Sequence, residues 1–428
     1  MNALYFLHGQ EHDRTCRRCG IGMPRRHLQY MVVACLLAAV AAACARQPSG
    51  QPSARTSPMY GLHYVQLAKS GGPRPRFEPA LAYDPVNRGI VLLGVSTRWR
   101  ITAGNTSHYD KHTWLWSGHS WKELAPATTA WMRWGGQITY DPATHGIMLL
   151  SVNRSVTAPI PRKVHSHFTL RVRTQLSREI NASQTWIWNG TTWRRLSPAT
   201  SPTAQSGQSM AYDAATGQVV MVGGIAQAFS PTISTTSSAY HVYLLKLAMN
   251  ITWLWNGRDW TEDHTPSPPV LGNGAIAYDA AARQVVYFTA DCHRRTCDAG
   301  QTWTWNGSTW TRQHPIQSPQ GRLYPSMAYD PVTKQVILFG GSASFFFHFG
   351  NLRGTWAWNG VTWSRLSLAT SPPTRIGASM TYDEAIHEIV LFGGTCNLKL
   401  CPGMWTLKLR PPGPLRRASR RSRKASIG

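Results

Sequence analysis

Residues 303–310 read Trp-Thr-Trp-Asn-Gly-Ser-Thr-Trp, and this tryptophan cassette occurs five times along the chain. Each copy holds three tryptophans, so the cassettes contain fifteen of the nineteen in the sequence. The copies begin at Trp114, Trp186, Trp253, Trp303 and Trp356. Asn306-Gly307 is a pair that favours a two-residue hairpin turn, so we expect Trp303 to lie directly opposite Trp310. Each cassette is therefore predicted to be one β-hairpin of a repeat protein.

Each cassette belongs to a longer unit, which begins with a short apolar strand that ends in Tyr-Asp. Six units carry this pair, at Tyr83-Asp84, Tyr140-Asp141, Tyr212-Asp213, Tyr278-Asp279, Tyr329-Asp330 and Tyr382-Asp383. In the fifth unit, residues 326–329 are predicted as strand one and residues 335–339 as strand two. Strand two is apolar on both faces, which is typical of a sheet covered by neighbouring sheets. Four strands per unit, stacked radially, predict an all-β propeller with six four-stranded blades.

The Gly-Gly pair after strand two, with aromatic residues further along, resembles kelch repeats and the galactose-oxidase propeller. The resemblance spans residues 60–409 and indicates a fold more than an activity, because kelch-type propellers include binding scaffolds as well as an oxidase. Kelch-type rings more often have seven blades. Residues 152–183 are long enough for a seventh but contain neither Tyr-Asp nor the cassette. We therefore predict six blades and keep seven as the alternative.

The sixth unit lacks the second half of its hairpin. Residues 404–407 supply strand three, and the chain then enters a basic tail. A matching segment lies near the N-terminus, where Tyr64, Leu67, Pro73 and Arg76 repeat the spacing of Trp363, Leu366, Pro372 and Arg375. We expect this N-terminal strand to complete the last blade and to remove an open sheet edge.

The chain carries a formal net charge of +25, and part of that charge is concentrated at its C-terminus. Residues 410–428 contain six arginines, one lysine and no acidic residue. Such a composition cannot form an apolar core, so the segment is predicted to be a disordered basic tail. It would contact anionic envelope polymers or lipid head groups without sequence preference, and the alternative, which we favour, is a solvated tail with no specific role. Nucleic acid is not expected as a partner.

Residues 1–44 have the features of a signal region. Arg25 and Arg26 precede the apolar stretch 31–43, which is too short to span a membrane. The three alanines before Cys44 resemble a bacterial lipobox, whose cysteine becomes lipid-modified, although Ala41 replaces the usual leucine. The same alanines also fit an ordinary cleavage site.

We favour lipid attachment at Cys44, which predicts an exported protein on the outer face of the bacterial cell membrane, with simple secretion as the alternative. Residues 45–59 are predicted as a flexible tether between the anchor and the propeller at 60–409. Glu11 and Asp13 precede the basic stretch, so Met23 is an alternative start to Met1.

The predicted topology gives the ring two different faces. Strand one runs from face A to face B, so the one-two and three-four turns lie on face B, and the two-three and four-one connections lie on face A. The two-three connections are long and dissimilar, as at 154–178, 229–240 and 345–349. Variable loops on a rigid scaffold commonly carry recognition, so we expect a protein or glycan ligand on face A.

Four of the six units have an arginine seven residues before the tyrosine. These are Arg76, Arg133, Arg322 and Arg375. The register lies in the four-one connection, just before the innermost strand, so the guanidinium groups are candidates to ring the channel mouth and bind carboxylate, sulfate or phosphate. The structural alternative, which we favour, is that they pair with backbone carbonyls or with an acid of the neighbouring blade.

Two cysteine pairs occupy two-three loops, Cys292 with Cys297 and Cys396 with Cys401. In an exported protein each pair is predicted to form a local disulfide. Enzymes that resemble galactose oxidase use a copper ion held by tyrosine and histidine, with one tyrosine joined to a cysteine, and this pairing leaves no propeller cysteine for that bond. We therefore expect a binding scaffold with no catalytic residue, metal or cofactor, and keep an extracellular oxidase or carbohydrate-active enzyme as the alternative.

Overall fold

The structure is a computed structural model. It describes residues 63–67, 72–94, 112–130, 137–151, 183–202, 207–224, 250–269, 274–293, 296–344, 351–397 and 399–408. All regular elements in these ranges are β-strands, numbered β1 to β25. No helix in them is long and apolar enough to cross a membrane. The signal region, the tether and the basic tail lie outside the described residues, so their assignments stay predictions.

Five of the sheets are built from four consecutive strands. Blade 1 contains β2 (Ala80–Asp84), β3 (Gly89–Leu93), β4 (Thr113–Trp116) and β5 (Trp121–Leu124). Blade 2 contains β6 (Gln137–Asp141), β7 (Gly146–Ser151), β8 (Gln184–Trp188) and β9 (Trp193–Arg195). Blade 3 contains β10 (Ser209–Asp213), β11 (Gln218–Val222), β12 (Thr252–Trp255) and β13 (Trp260–Asp263). Blade 4 contains β14 (Ala275–Asp279), β15 (Gln284–His293), β16 (Thr296–Trp305) and β17 (Trp310–Gln313). Blade 5 contains β18 (Ser326–Asp330), β19 (Gln335–Phe339), β20 (Thr355–Trp358) and β21 (Trp363–Leu366).

The sixth blade combines the two ends of the described chain. It contains β22 (Ile376–Asp383), β23 (Glu388–Cys396), β25 (Met404–Lys408) and β1 (His63–Gln66), with the short β24 (Lys399–Leu400) paired to β23. The strand β1 pairs antiparallel with β25 from His63↔Lys408 to Gln66↔Trp405. The predicted N-terminal strand that closes the last blade is therefore confirmed.

The blades form a closed ring around their first strands. Strand one of each blade contacts strand one of the next, and β22 of blade 6 contacts β2 of blade 1. Strand two is buried on both faces in every blade. In β19, for example, Val336 to Phe339 are at most 1% exposed. The prediction of an all-β, six-bladed propeller with four-stranded blades is confirmed.

The predicted register of the tryptophan hairpin is wrong. Trp305 lies opposite Trp310, whereas Trp303 lies opposite Arg312. The turn contains four residues, 306–309. The side-chain oxygen of Asn306 fixes this turn because it accepts hydrogen bonds from the backbone N–H groups of Ser308 and Thr309, at 3.0 and 2.9 Å. A two-residue type I′ turn needs positive φ at both central positions, and here only Gly307 has it, at +98°.

Candidate functional site

The repeated aspartates at the end of strand one are structural. All six are at most 2% exposed. Asp84 accepts hydrogen bonds from the backbone N–H groups of Val86, at 2.9 Å, and Asn87, at 3.3 Å, which fixes its own turn. It also accepts one from the indole N–H of Trp188 in blade 2, at 3.0 Å. The same link joins Trp255 of blade 3 to Asp141 of blade 2, at 3.0 Å. Asp84 and Asp141 therefore join their turns to neighbouring blades.

The last tryptophan of four of the five cassettes makes a second link between blades. In four blades its indole N–H donates to a threonine hydroxyl on strand three of the preceding blade. These bonds are Trp193 to Thr113 at 3.0 Å, Trp260 to Thr185 at 2.9 Å, Trp310 to Thr252 at 2.9 Å and Trp363 to Thr302 at 2.8 Å. The four indoles are buried. They stabilise the ring and offer no exposed ring face to a ligand.

The three described arginines of the predicted channel-mouth set lie inside the protein. Arg76, Arg322 and Arg375 are 0%, 2% and 1% exposed. Arg322 donates from Nη1 to the carbonyl of Gly340 at 3.0 Å, and Arg375 donates in the same way to Gly393 at 3.1 Å. In both cases the acceptor is the residue eighteen positions later, directly after strand two in blade 5 and within strand two in blade 6.

Burial has a measurable electrostatic consequence for these arginines. Loss of hydration lowers the pKa of Arg322 and of Arg375 to about 10, with the positive charge of Arg365 adding to the effect at Arg322. The burial and the carbonyl acceptors favour the structural alternative. Ligand binding by Arg76, Arg322 and Arg375 stays a prediction with no supporting contact among the described residues, and Arg133 lies outside them.

A disulfide joins Cys396 to Cys401 across the two-three loop of blade 6, with a sequence separation of 5. In blade 4, Cys297 is disulfide-bonded, and Cys292 lies directly opposite it in the register of β15 and β16. Cys44, the predicted lipid attachment site, is outside the described residues. Within the ranges that the structure describes, no group of three or more His, Cys, Asp or Glu side chains is arranged to hold a metal ion.

Face B carries a ring of tyrosines next to the buried aspartates. Their aromatic rings pack in the seams between blades, and burial raises the pKa of each phenol above its ordinary value. The effect is large at Tyr382, where burial and then the charges of Asp330, Glu384 and Asp383 raise the pKa to about 12. The hydroxyl of Tyr382 lies 3.4 Å from Nδ1 of His387.

A basic side chain follows five residues after the tyrosine in five of the six blades. These residues are Arg88, His145, Arg283, Lys334 and His387, and all five are exposed. Their φ angles lie between 48° and 56°, a region in which glycine is less strained, and blade 3 has glycine there. Sequence reasoning missed this set, although aligning the units on Tyr-Asp would have found it.

One cavity of face B lies between the turns of blades 5 and 6. It has a volume of about 500 Å³ and is lined by Pro331, Val332, Tyr382, Glu384 and His387. It brings together a phenol, a carboxylate and an imidazole. The face A loops predicted to bind a ligand, at 154–178, 229–240 and 345–349, lie outside the described residues.

Comparison with known proteins supports the fold. A solved structure titled "Structure of YjhT" aligns with a TM-score of 0.52 and 12% identity, over 81% of this chain and 99% of that one. An alpha-L-arabinanase of Penicillium chrysogenum, complexed with arabinobiose, aligns with a TM-score of 0.48 and 8% identity, over 81% and 98% of the two chains. No protein-family model matches the sequence, and no curated protein matches it. At this identity the first likeness shows the fold alone, so the chain is a six-bladed β-propeller and its kelch-type resemblance stays a prediction.

Proposed function

We propose that the protein is an exported, lipid-anchored propeller that binds a ligand at the cell envelope and catalyses no reaction. One observation supports this most directly. The polar groups that recur from blade to blade are largely buried and bonded within the ring. The aspartates accept hydrogen bonds from their own turns, six of the cassette indoles donate to a neighbouring blade, and Arg322 and Arg375 donate to backbone carbonyls. The repeat therefore builds a rigid ring, and recognition is left to groups that differ between blades.

The ligand in this proposal is a protein or glycan that contacts the two-three and four-one loops of face A. Cys44 would hold the protein at the outer face of the membrane, and the tail at 410–428 would add contacts with anionic polymers or lipid. A lipid anchor and a basic segment together give stable membrane attachment, whereas one acyl chain alone gives reversible binding.

The competing function is an extracellular oxidase or a carbohydrate-active enzyme. The cavity on face B favours the second of these, because Glu384 and His387 lie beside it and are groups able to transfer protons. Most glycoside hydrolases use two carboxylates that flank the scissile bond. The cavity lining contains one, Glu384, which makes the binding function the better supported of the two.

Binding and catalysis are separated by one set of assays on the full chain. We expect saturable binding to a glycan or protein array without release of reducing ends and without hydrogen peroxide formation after copper loading. A radical absorption band with peroxide formation would establish the oxidase instead. Glycan cleavage that is lost in Glu384→Gln would establish the hydrolase.

The envelope location has its own test. Cys44→Ser should abolish incorporation of a fatty-acid label and release the protein from the membrane fraction, whereas Cys35→Ser, in the apolar stretch of the same segment, should leave both unchanged. Deleting residues 410–428 should weaken retention in a salt-sensitive manner. If both variants stay in the membrane fraction, the anchored location is refuted.

A further inference from the structure

Within the part of the chain that the structure describes, two buried polar side chains at one place in the ring lack a hydrogen-bond partner. Gln208 is 2% exposed, and neither its carboxamide oxygen nor its nitrogen has a partner. Ser151 is 0% exposed, and its hydroxyl has none either. Ser151 ends strand two of blade 2, and Gln208 immediately precedes strand one of blade 3. Both therefore lie at the face A ends of their strands.

These two residues break the pattern of the repeat. Ser151 is eleven residues after the tyrosine of its blade, and Gln208 is four residues before the tyrosine of the next. The corresponding pairs at the other five seams are Gly94 with Gly136, Gly223 with Gly274, Thr289 with Pro325, Gly340 with Ala378, and Gly393 with Pro79. Polar side chains occupy both positions only between blades 2 and 3. We call Ser151 and Gln208 the polar seam.

The repeat geometry brings the two positions of a seam together. Between blades 6 and 1, a Cβ atom placed on Gly393 would lie 2.9 Å from Cγ of Pro79. At the neighbouring seam, a Cβ atom on Gly340 of blade 5 would also meet blade 6, at 2.5 Å from the backbone oxygen of Arg375. By analogy with the seam between blades 6 and 1, the step from blade 2 to blade 3 would place Ser151 next to Gln208.

The chemistry of the polar seam defines what it can bind. Gln208 offers one acceptor oxygen and an NH₂ donor, and the Ser151 hydroxyl can donate or accept. A single hydroxyl group complements all three atoms, and a buried water typically makes about three hydrogen bonds. Neither of these two side chains carries a charge, so among the described residues the pair favours a neutral group over an ion.

We propose that the polar seam binds a hydroxyl group, supplied by a neutral glycan on face A and replaced by water in the free protein. The glycan source rests on the proposed function, because it selects a glycan over a protein as the face A ligand. The presence of a hydroxyl does not depend on that function. The two parts are tested separately.

The first test asks whether the polar seam is occupied in the free protein. Gln208→Met should raise the unfolding equilibrium constant about tenfold relative to Gln218→Met, a half-buried residue at the face B start of strand two, because it removes hydrogen bonds to a bound water. Ser151→Gly, which restores the residue found in four other blades, should act in the same direction. If both variants match or exceed the stability of the control, no water is bound to the polar groups and the proposal fails. A high-resolution crystal structure with no water between the two side chains would also overturn it.

The second test identifies the source of the hydroxyl by titrating neutral oligosaccharides into the full chain and measuring heat. We expect Gln208→Met to weaken binding about tenfold, whereas Gln218→Met binds as the wild type does. Equal affinities in both variants would overturn the glycan as the source. If the wild type binds no neutral glycan but retains the ordered water, the proposed glycan ligand fails while the hydroxyl site stands.

Discussion

Replacing Tyr64 with alanine should open the ring at its closure. Tyr64 is 2% exposed in β1 and occupies the place that a cassette tryptophan holds in other blades. Its ring packs 5.6 Å from that of Phe339 in blade 5, centroid to centroid. Truncating a buried aromatic residue to alanine destabilises a protein by about 3–5 kcal/mol. A domain is typically stable by about 5–15 kcal/mol, so the variant should fold but lose a large part of its stability.

The assay is urea unfolding followed by tryptophan fluorescence, with size-exclusion chromatography to detect association through the exposed edge of β25. Val65→Ala is the matched control, because Val65 is the next residue of the same strand and is 41% exposed. It should change the free energy of unfolding by about 0.5 kcal/mol or less. Tyr64→Phe keeps the packed ring and should remain close to the wild type. A Tyr64→Ala protein as stable as Val65→Ala would refute closure by β1 as a source of stability.

Three further predictions concern the links within and between blades. Thr302→Val removes the acceptor of a buried indole N–H and should destabilise the protein by about 1–3 kcal/mol in urea unfolding, whereas Thr311→Val, on an exposed position of β17, should have little effect. Arg375→Met leaves buried carbonyls unpaired and should cost about 2–4 kcal/mol, while Arg312→Met should be near neutral; equal effects would contradict the structural role of the buried arginine. Replacing both Cys396 and Cys401 with serine leaves the unfolded chain without this loop closure and should lower stability by about 2 kcal/mol, which urea unfolding measures; no difference would show that the short loop contributes nothing.

Local patterns in the sequence predict the ring well because each blade buries the same strands in the same way. The apolar run of β19 and the pair Tyr329-Asp330 specify two strands and their turn, and the spacing that Tyr64 shares with Trp363 predicts the closing strand. The hairpin register was wrong because Asn306-Gly307 fits two turn types, and the choice depends on whether the asparagine side chain bonds its own backbone.

Features that depend on neighbouring blades were harder to predict. The repeat predicted the position of Arg322. It could not show whether the guanidinium group binds a surface ligand or an interior carbonyl, because that carbonyl lies eighteen residues away in the sequence. Ser151 and Gln208 are ordinary residues when read singly. They become informative only when two adjacent units are aligned and shown to meet across a seam.

Closure by β1 also constrains the order of folding during synthesis. Tyr64 pairs with Leu407, so the first described strand to emerge must wait for the last described one. Contacts between such distant segments form slowly, because a long stretch of chain must first be ordered. Blades 1 to 5 can assemble as they emerge, whereas blade 6 remains a three-stranded sheet with a bare margin until both ends of the chain meet. Nascent chains stalled before residue 404 should therefore be the species most dependent on chaperones.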